Sequence, residues 1–182
     1  VKTLFSFFLT IYVALFQTVY PFVPVHLTMI SAICVGIPTV FLQLEPSFER
    51  LKGRFLVDAF LRALPSAITV VLVVVFIKFY RTTMDLSLQN ANAILVFVTG
   101  AIYLYTLYRI YQLTTKYRLM IVLIMSFLFV ITYYFTQGIL GISFSLELLP
   151  VTLLTTVIGV AIVSLLGFFT DKAFKINSCN LK

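Results

Sequence analysis

Residues 24–46 read PVHLTMISAICVGIPTVFLQLEP, and the only Asp, Glu, Lys or Arg among them is Glu45, next to the end. An apolar run of roughly twenty residues is long enough to cross the hydrocarbon core of a bilayer as a helix. Gly36 and Pro38 lie near its middle. Pro38 has no backbone N–H and its ring clashes with the carbonyl four residues earlier, while Gly36 relaxes the backbone. We therefore expect a transmembrane helix that is kinked or unwound near residues 34–38.

The composition extends this interpretation to the whole chain of 182 residues. Hydrophobic residues make up 62% and charged residues 10%, with a mean hydropathy of +1.11. A soluble domain has roughly 45–50% apolar and about 25% charged residues. The net charge of +7 does not indicate nucleic-acid binding, because the basic residues lie at the ends of apolar runs. The composition predicts an all-α integral membrane protein whose surrounding partner is the lipid bilayer, with no nucleic acid.

Apolar runs along the chain predict about six transmembrane helices, each with no more than an occasional charge. Their expected ranges are about 3–20, 24–44, 56–77, 90–111, 119–136 and 147–169. Gly138 and Gly141 indicate a turn within Gln137–Ser145. No linker and no repeat divides the chain, so residues 1–182 are expected to form a single transmembrane domain.

The basic residues predict the orientation of these helices. If the N-terminus is inside, 11 of the 13 Lys and Arg residues fall on the inner side, and Lys78 and Arg81 alone fall on the outer side. This asymmetry follows the positive-inside rule and predicts a multi-pass cell-membrane protein with both ends of the chain cytoplasmic. Because Val1 opens directly into an apolar run, we also expect the chain to be the tail of a larger protein.

Residues 21–65 resemble the sixth transmembrane helix of P-type cation-transporting ATPases and its flanks. The resemblance lies in the Pro-Val-polar-Leu opening at Pro24, the central Gly36 followed by Pro38, and the closing Pro46. The LEP, RLKGRF and ALP segments that come next resemble a bacterial branch of these pumps. Beyond this region the resemblance is one of topology alone. It implies that the chain is the C-terminal membrane region of such a pump, its fifth to tenth helices.

The resemblance also implies a transport path that is lined by the first two predicted helices. Its residues, counted without gaps, are Lys2, Thr3, Ser6, Ser31, Cys34, Gly36 and Pro38. This set contains hydroxyls, a thiol and an ammonium but no carboxylate, and the predicted helix 90–111 has no acidic residue either. Hard divalent cations need several oxygen ligands, usually with carboxylates among them. The sequence therefore identifies neither the transported ion nor the residues that coordinate it.

No catalytic motif is present in the chain. It lacks a P-loop and the Asp-Lys-Thr-Gly-Thr motif of the family, since Asp171-Lys172 is followed by Ala-Phe. ATP and Mg²⁺ are expected to bind elsewhere in the parent protein, and this fragment is expected to need no cofactor. Its expected partners are the N-terminal helices and cytoplasmic domains of the same pump, which the loop Glu45–Arg54 would face, and the transported ion. Two alternatives stay open, a free-standing small membrane permease and a structural membrane anchor with no substrate site.

Overall fold

The computed structural model describes residues 2–17, 21–43, 55–110, 116–135, 137–140 and 148–179. Within these ranges the regular structure is helical throughout and there is no strand. The helices are α1 (Lys2–Phe16), α2 (Pro24–Ser31), a π-helical turn (Ala32–Gly36), α3 (Ile37–Gln43), α4 (Phe55–Met84), α5 (Leu88–Ile110), α6 (Lys116–Phe135), α7 (Gln137–Leu140) and α8 (Leu149–Cys179). The predicted all-α class is confirmed.

Four helical segments of the described chain are long and apolar enough to cross a membrane. They are Pro24–Phe41, Phe60–Met84, Leu88–Ile110 and Leu149–Thr170, and shorter apolar helices cover Thr3–Phe16 and Leu119–Phe135. Large apolar side chains such as Phe79, Phe127 and Phe168 remain about two-thirds exposed or more. A surface of this kind suits lipid and not water. The chain is therefore a multi-pass membrane protein, while its orientation and its treatment as a single domain stay predictions.

Several predicted segments differ from the structure, and the last predicted helix, 147–169, continues as α8 to Cys179. The third predicted helix, 56–77, extends to Met84 in the structure, so Lys78 and Arg81 lie within its last turns. Gln137–Leu140 forms one turn of helix, α7, at the start of the segment for which the sequence predicts a turn. The remainder of that segment and the predicted loop Glu45–Arg54 lie outside the described residues.

α5 is the central helix of the bundle. α4, α5 and α8 pack on one another, α1 packs on α4, and α6 packs on α5. Most of α5 is buried, and Ile94, Val98 and Ile102 are fully inaccessible. α2 and the π turn both contact α5. The central helix therefore provides a packing surface for the segment that α2, the π turn and α3 form.

Small residues set the separation of these helices. A Cβ atom on Gly159 of α8 would lie 3.2 Å from Cδ1 of Ile102 on α5 and 3.7 Å from Val73 on α4. A Cβ atom on Gly100 of α5 would overlap the ring of Phe129 on α6. Small residues at helix contacts allow the close packing that stabilises helix bundles in lipid, where no hydrophobic effect drives the helices together.

Candidate functional site

The π turn interrupts α-helical bonding in the helical segment that the sequence singled out. The Ile37 N–H donates to the Ala32 carbonyl, five residues earlier, so the Ile33 carbonyl loses its usual donor. The Cys34 carbonyl has no donor four residues later, because Pro38 carries no N–H. Two adjacent backbone carbonyls thus lose the donor that an unbroken α-helix would give them. The structure shows this wide turn within a helix that continues on both sides, and the predicted kink or unwinding stays a prediction.

These carbonyls belong to the middle of the apolar segment Pro24–Phe41. The π turn packs against α5 and α6, and α3 packs against α6. Cys34 is 1% exposed and Pro38 is buried, whereas Gly36 is exposed. Backbone groups that lose their helical bonds at this depth are tolerated where they face protein or a polar cavity, and π turns are frequent at functional sites. The segment is therefore the strongest candidate for a functional site.

Hydroxyl groups line the same segment. Ser31 Oγ donates to the Leu27 carbonyl at 2.6 Å, and Thr39 Oγ1 donates to the Val35 carbonyl. A hydroxyl that gives its hydrogen to its own helix keeps its oxygen lone pairs, so it remains able to accept a hydrogen bond or to coordinate a cation. Ser31 is half-buried. The segment therefore combines carbonyl and hydroxyl oxygens with the Cys34 thiol.

The other predicted path residues lie on α1. Thr3 is exposed and Ser6 is half-buried, while the side chain of Lys2 lies outside the described residues. α1 packs on α4, whereas the π turn packs on α5 and α6. The packing of the described helices thus gathers Ser31, Cys34, Gly36 and Pro38 on one segment and leaves Thr3 and Ser6 on another.

The start of α2 is linked to α1 through two aromatic rings. Phe5 of α1 and Phe22 are both buried and meet edge to face, with ring centroids 5.6 Å apart. Such a contact adds about 0.5–1.5 kcal/mol beyond the burial of area. It fixes the entry of the second apolar segment beside the first.

Two buried polar residues, Thr99 and His26, are not among the site residues that the sequence predicts. Thr99 of α5 is fully buried, and its Oγ1 is the one buried side-chain oxygen or nitrogen of the described residues with no hydrogen-bond partner. His26 is 1% exposed, and its Nδ1 accepts the Val23 N–H at 3.4 Å. The sequence signal for the role of His26 is its spacing. It lies three residues after Val23, at the third position of α2, where a side chain can reach back to the N–H of the N-cap residue.

The candidate segment carries no acidic charge. Neither Pro24–Gln43 nor Leu88–Ile110 contains Asp or Glu. Within the described residues, no group of three or more His, Cys, Asp or Glu side chains is placed to hold a metal ion. The oxygen atoms available to a ligand here are therefore neutral ones.

Sequence comparison gives the chain a relative among transport proteins. It is 28% identical over 130 residues to a probable cation-transporting ATPase, exp7, of Streptococcus pneumoniae serotype 4. The match covers 67% of this chain but 17% of the relative, so the chain corresponds to a small part of that protein. No family model and no solved structure matches the chain. The similarity confirms the predicted resemblance to a cation-transporting ATPase.

Proposed function

We propose that this chain is the C-terminal membrane region of a bacterial P-type cation-transporting ATPase, comprising its fifth to tenth helices. The observation that carries the proposal is the similarity to the pneumococcal ATPase over 67% of the chain. The apolar helices give the proposal its physical setting, because they are suited to the bilayer part of such a pump. ATP and Mg²⁺ would act on cytoplasmic domains elsewhere in the same protein, and both ends of this chain would face the cytoplasm.

In this proposal the segment around the π turn contributes ligands to the ion path. The carbonyls of Ile33 and Cys34 lose their usual α-helical donors, and the Ser31 oxygen keeps its lone pairs. Broken or irregular helices at membrane depth supply such backbone oxygens to cations in transporters. Gly36 and Pro38 act through the backbone, since one relaxes it and the other removes a donor.

The neutral ligand set favours a substrate of low charge density. Burying a divalent ion among neutral oxygens leaves most of its charge uncompensated, at a cost of many kcal/mol. A monovalent cation, or a soft metal drawn to the sulfur of Cys34, is easier to stabilise. Lys2, Thr3 and Ser6 of α1 complete the proposed path, and an inward-facing ammonium of Lys2 would further oppose divalent ions.

The proposal is tested with Pro38→Ala in the full-length pump reconstituted in vesicles. The new N–H can bond to the Cys34 carbonyl and complete the helix, which removes a cation ligand. We expect about tenfold or greater loss of ion affinity, because a hydrogen bond to a charged group contributes about 1.5–3 kcal/mol. The variant should unfold no more easily than the wild type, since Pro inside a helix is about 3 kcal/mol less favourable than Ala.

Pro65→Ala is the matched control. Pro65 is also a buried proline inside a helix, α4, away from the π turn. It should leave ion-stimulated ATP hydrolysis unchanged. Wild-type ion affinity in Pro38→Ala would refute the role of the π turn, and the absence of ion-stimulated ATP hydrolysis in the wild-type pump would refute the proposed function itself.

A further inference from the structure

A cavity of about 740 Å³ lies at the opposite end of α4 from the predicted loop Glu45–Arg54. Its walls come from the last turns of α4, the first turns of α5 and the segment that leads into α2. The polar side chains that line it include Lys78, Arg81, Asp85 and Asn92. This volume is in the range of cavities that hold small ligands, about 300–1,000 Å³.

Two cations share one side of this cavity. Lys78 and Arg81 are three residues apart on α4 and therefore project from neighbouring positions on the helix surface. The Lys78 ammonium lies 5.4 Å from the centre of the Tyr12 ring, so a cation–π contact with α1 positions it. The two like charges repel each other, and an anion between them would offset this repulsion.

Arg81 is held by the turn after α4 and keeps donors for a ligand. Its Nε donates to the Leu86 carbonyl at 3.4 Å. The other four N–H groups of the guanidinium have no partner among the residues that the structure describes. Guanidinium groups bind phosphate oxygens with two parallel hydrogen bonds, which fits this arrangement.

The depth of the cavity matches that of lipid phosphates. α4 ends its apolar segment at Met84 and α5 begins at Leu88, so the turn between them lies at a membrane surface. Ile77 and Leu95 give the cavity apolar walls farther from this turn. A ligand with a phosphate group and an acyl chain therefore meets cations at one end and hydrocarbon at the other.

We propose that the cavity between α4, α5 and the start of α2 binds a membrane phospholipid through its phosphate group, which Lys78 and Arg81 hold. The carboxylate of Asp85 also lines the cavity and opposes a negatively charged ligand. The net lining charge of the three ionised side chains is positive, since two cations face one carboxylate. The site therefore favours phosphatidylglycerol over the zwitterionic phosphatidylcholine. Lipid binding in this cavity does not depend on ion transport.

The test measures binding of fluorescent phosphatidylglycerol to the full-length protein in a neutral detergent. Lys78→Gln and Arg81→Gln should each weaken binding about fivefold, because a basic residue near an anionic headgroup contributes about 1 kcal/mol. Asp85→Asn should tighten binding by a similar factor, a gain that damaged folding would not produce. Arg62→Gln is the matched control, since Arg62 is an exposed arginine at the other end of α4 and does not line the cavity.

A second arm separates a lipid from free phosphate. Inorganic phosphate at millimolar concentration should displace little of the fluorescent lipid, because it lacks the acyl chain that the apolar walls contact. Full displacement would overturn the lipid proposal and indicate a site for free phosphate. Unchanged binding in Lys78→Gln and Arg81→Gln, or equal loss in Arg62→Gln, would overturn the site altogether.

Discussion

Gly100→Ala should destabilise the bundle although alanine is the better helix former. A Cβ atom at this position would overlap three atoms of the Phe129 ring, so either the ring or α6 must move. Phe129 is 2% exposed and packs against the rings of Phe97 and Tyr133, with centroids 6.0 and 6.3 Å away. The ring therefore has no free volume into which to swing.

The expected magnitude is a difference between two effects. Overpacking a close-packed interior costs about 1–3 kcal/mol, and replacing Gly by Ala in a helix stabilises by about 1 kcal/mol. The net loss for Gly100→Ala is thus about 0–2 kcal/mol, and the rigid surroundings of Phe129 favour the upper end. The measurement is the midpoint of SDS-induced unfolding of the purified protein.

Two further variants make the reasoning refutable. A Cβ atom on Gly138 would meet nothing within 4 Å, so Gly138→Ala is the control and should not destabilise. Phe129→Leu combined with Gly100→Ala should unfold less easily than the sum of the single effects predicts, with a coupling of about 0.5–3 kcal/mol. Additive effects, or a Gly100→Ala protein as stable as the wild type, would contradict the proposed contact between α5 and α6.

Three other experiments, with four substitutions, test the packing, the orientation and the substrate. Tyr133→Phe removes the hydrogen bond that Tyr133 donates to the Ala93 carbonyl at 3.0 Å and should lower the free energy of unfolding by about 1 kcal/mol, measured in the same SDS titration. In a variant without native cysteines, Asp85→Cys should react with a membrane-impermeant maleimide from outside intact cells, and labelling only after lysis would reverse the predicted orientation. Lys2→Ala and Cys34→Ala should each change the ion dependence of ATP hydrolysis in vesicles, whereas micromolar calcium stimulation that survives both changes would contradict a neutral ion site.

The sequence predicts a kink or unwinding near residues 34–38, which stays a prediction, and it does not predict a π turn. Pro38 removes a donor wherever it lies in a helix, so a disturbance at residues 34–38 follows from covalent chemistry alone. The chain accommodates it with a π turn at Ala32–Gly36 in which the Ile37 N–H reaches back to Ala32. The π turn packs against α5 and α6, and no local sequence pattern specifies these contacts.

The end of α4 shows how tertiary contacts override a local signal. Charged residues from Lys78 onward indicate the end of an apolar run, and this pattern predicts the end of the helix near residue 77. The helix continues to Met84, and its last turns are held by the Lys78 ammonium over the Tyr12 ring and by the Arg81 Nε that donates to the Leu86 carbonyl. Neither partner is adjacent in sequence to residue 77, so the extension and the cavity beside it could not be predicted from the run itself.

The described helices differ in how tightly they pack. α4, α5 and α8 approach closely at Gly159, where added atoms would meet Ile102 at 3.2 Å, so sliding among these helices is opposed by hard contacts. The π turn lies on the surface of this group, where Val35 and Gly36 are exposed. Conversion of a π turn to α-helical bonding moves the hydrogen bonds by one residue and rotates the next turns of the helix, without unfolding the segment. In the proposed pump, α5 therefore serves as the fixed wall of the ion path and the π turn as the part whose carbonyls exchange between an ion and the helix.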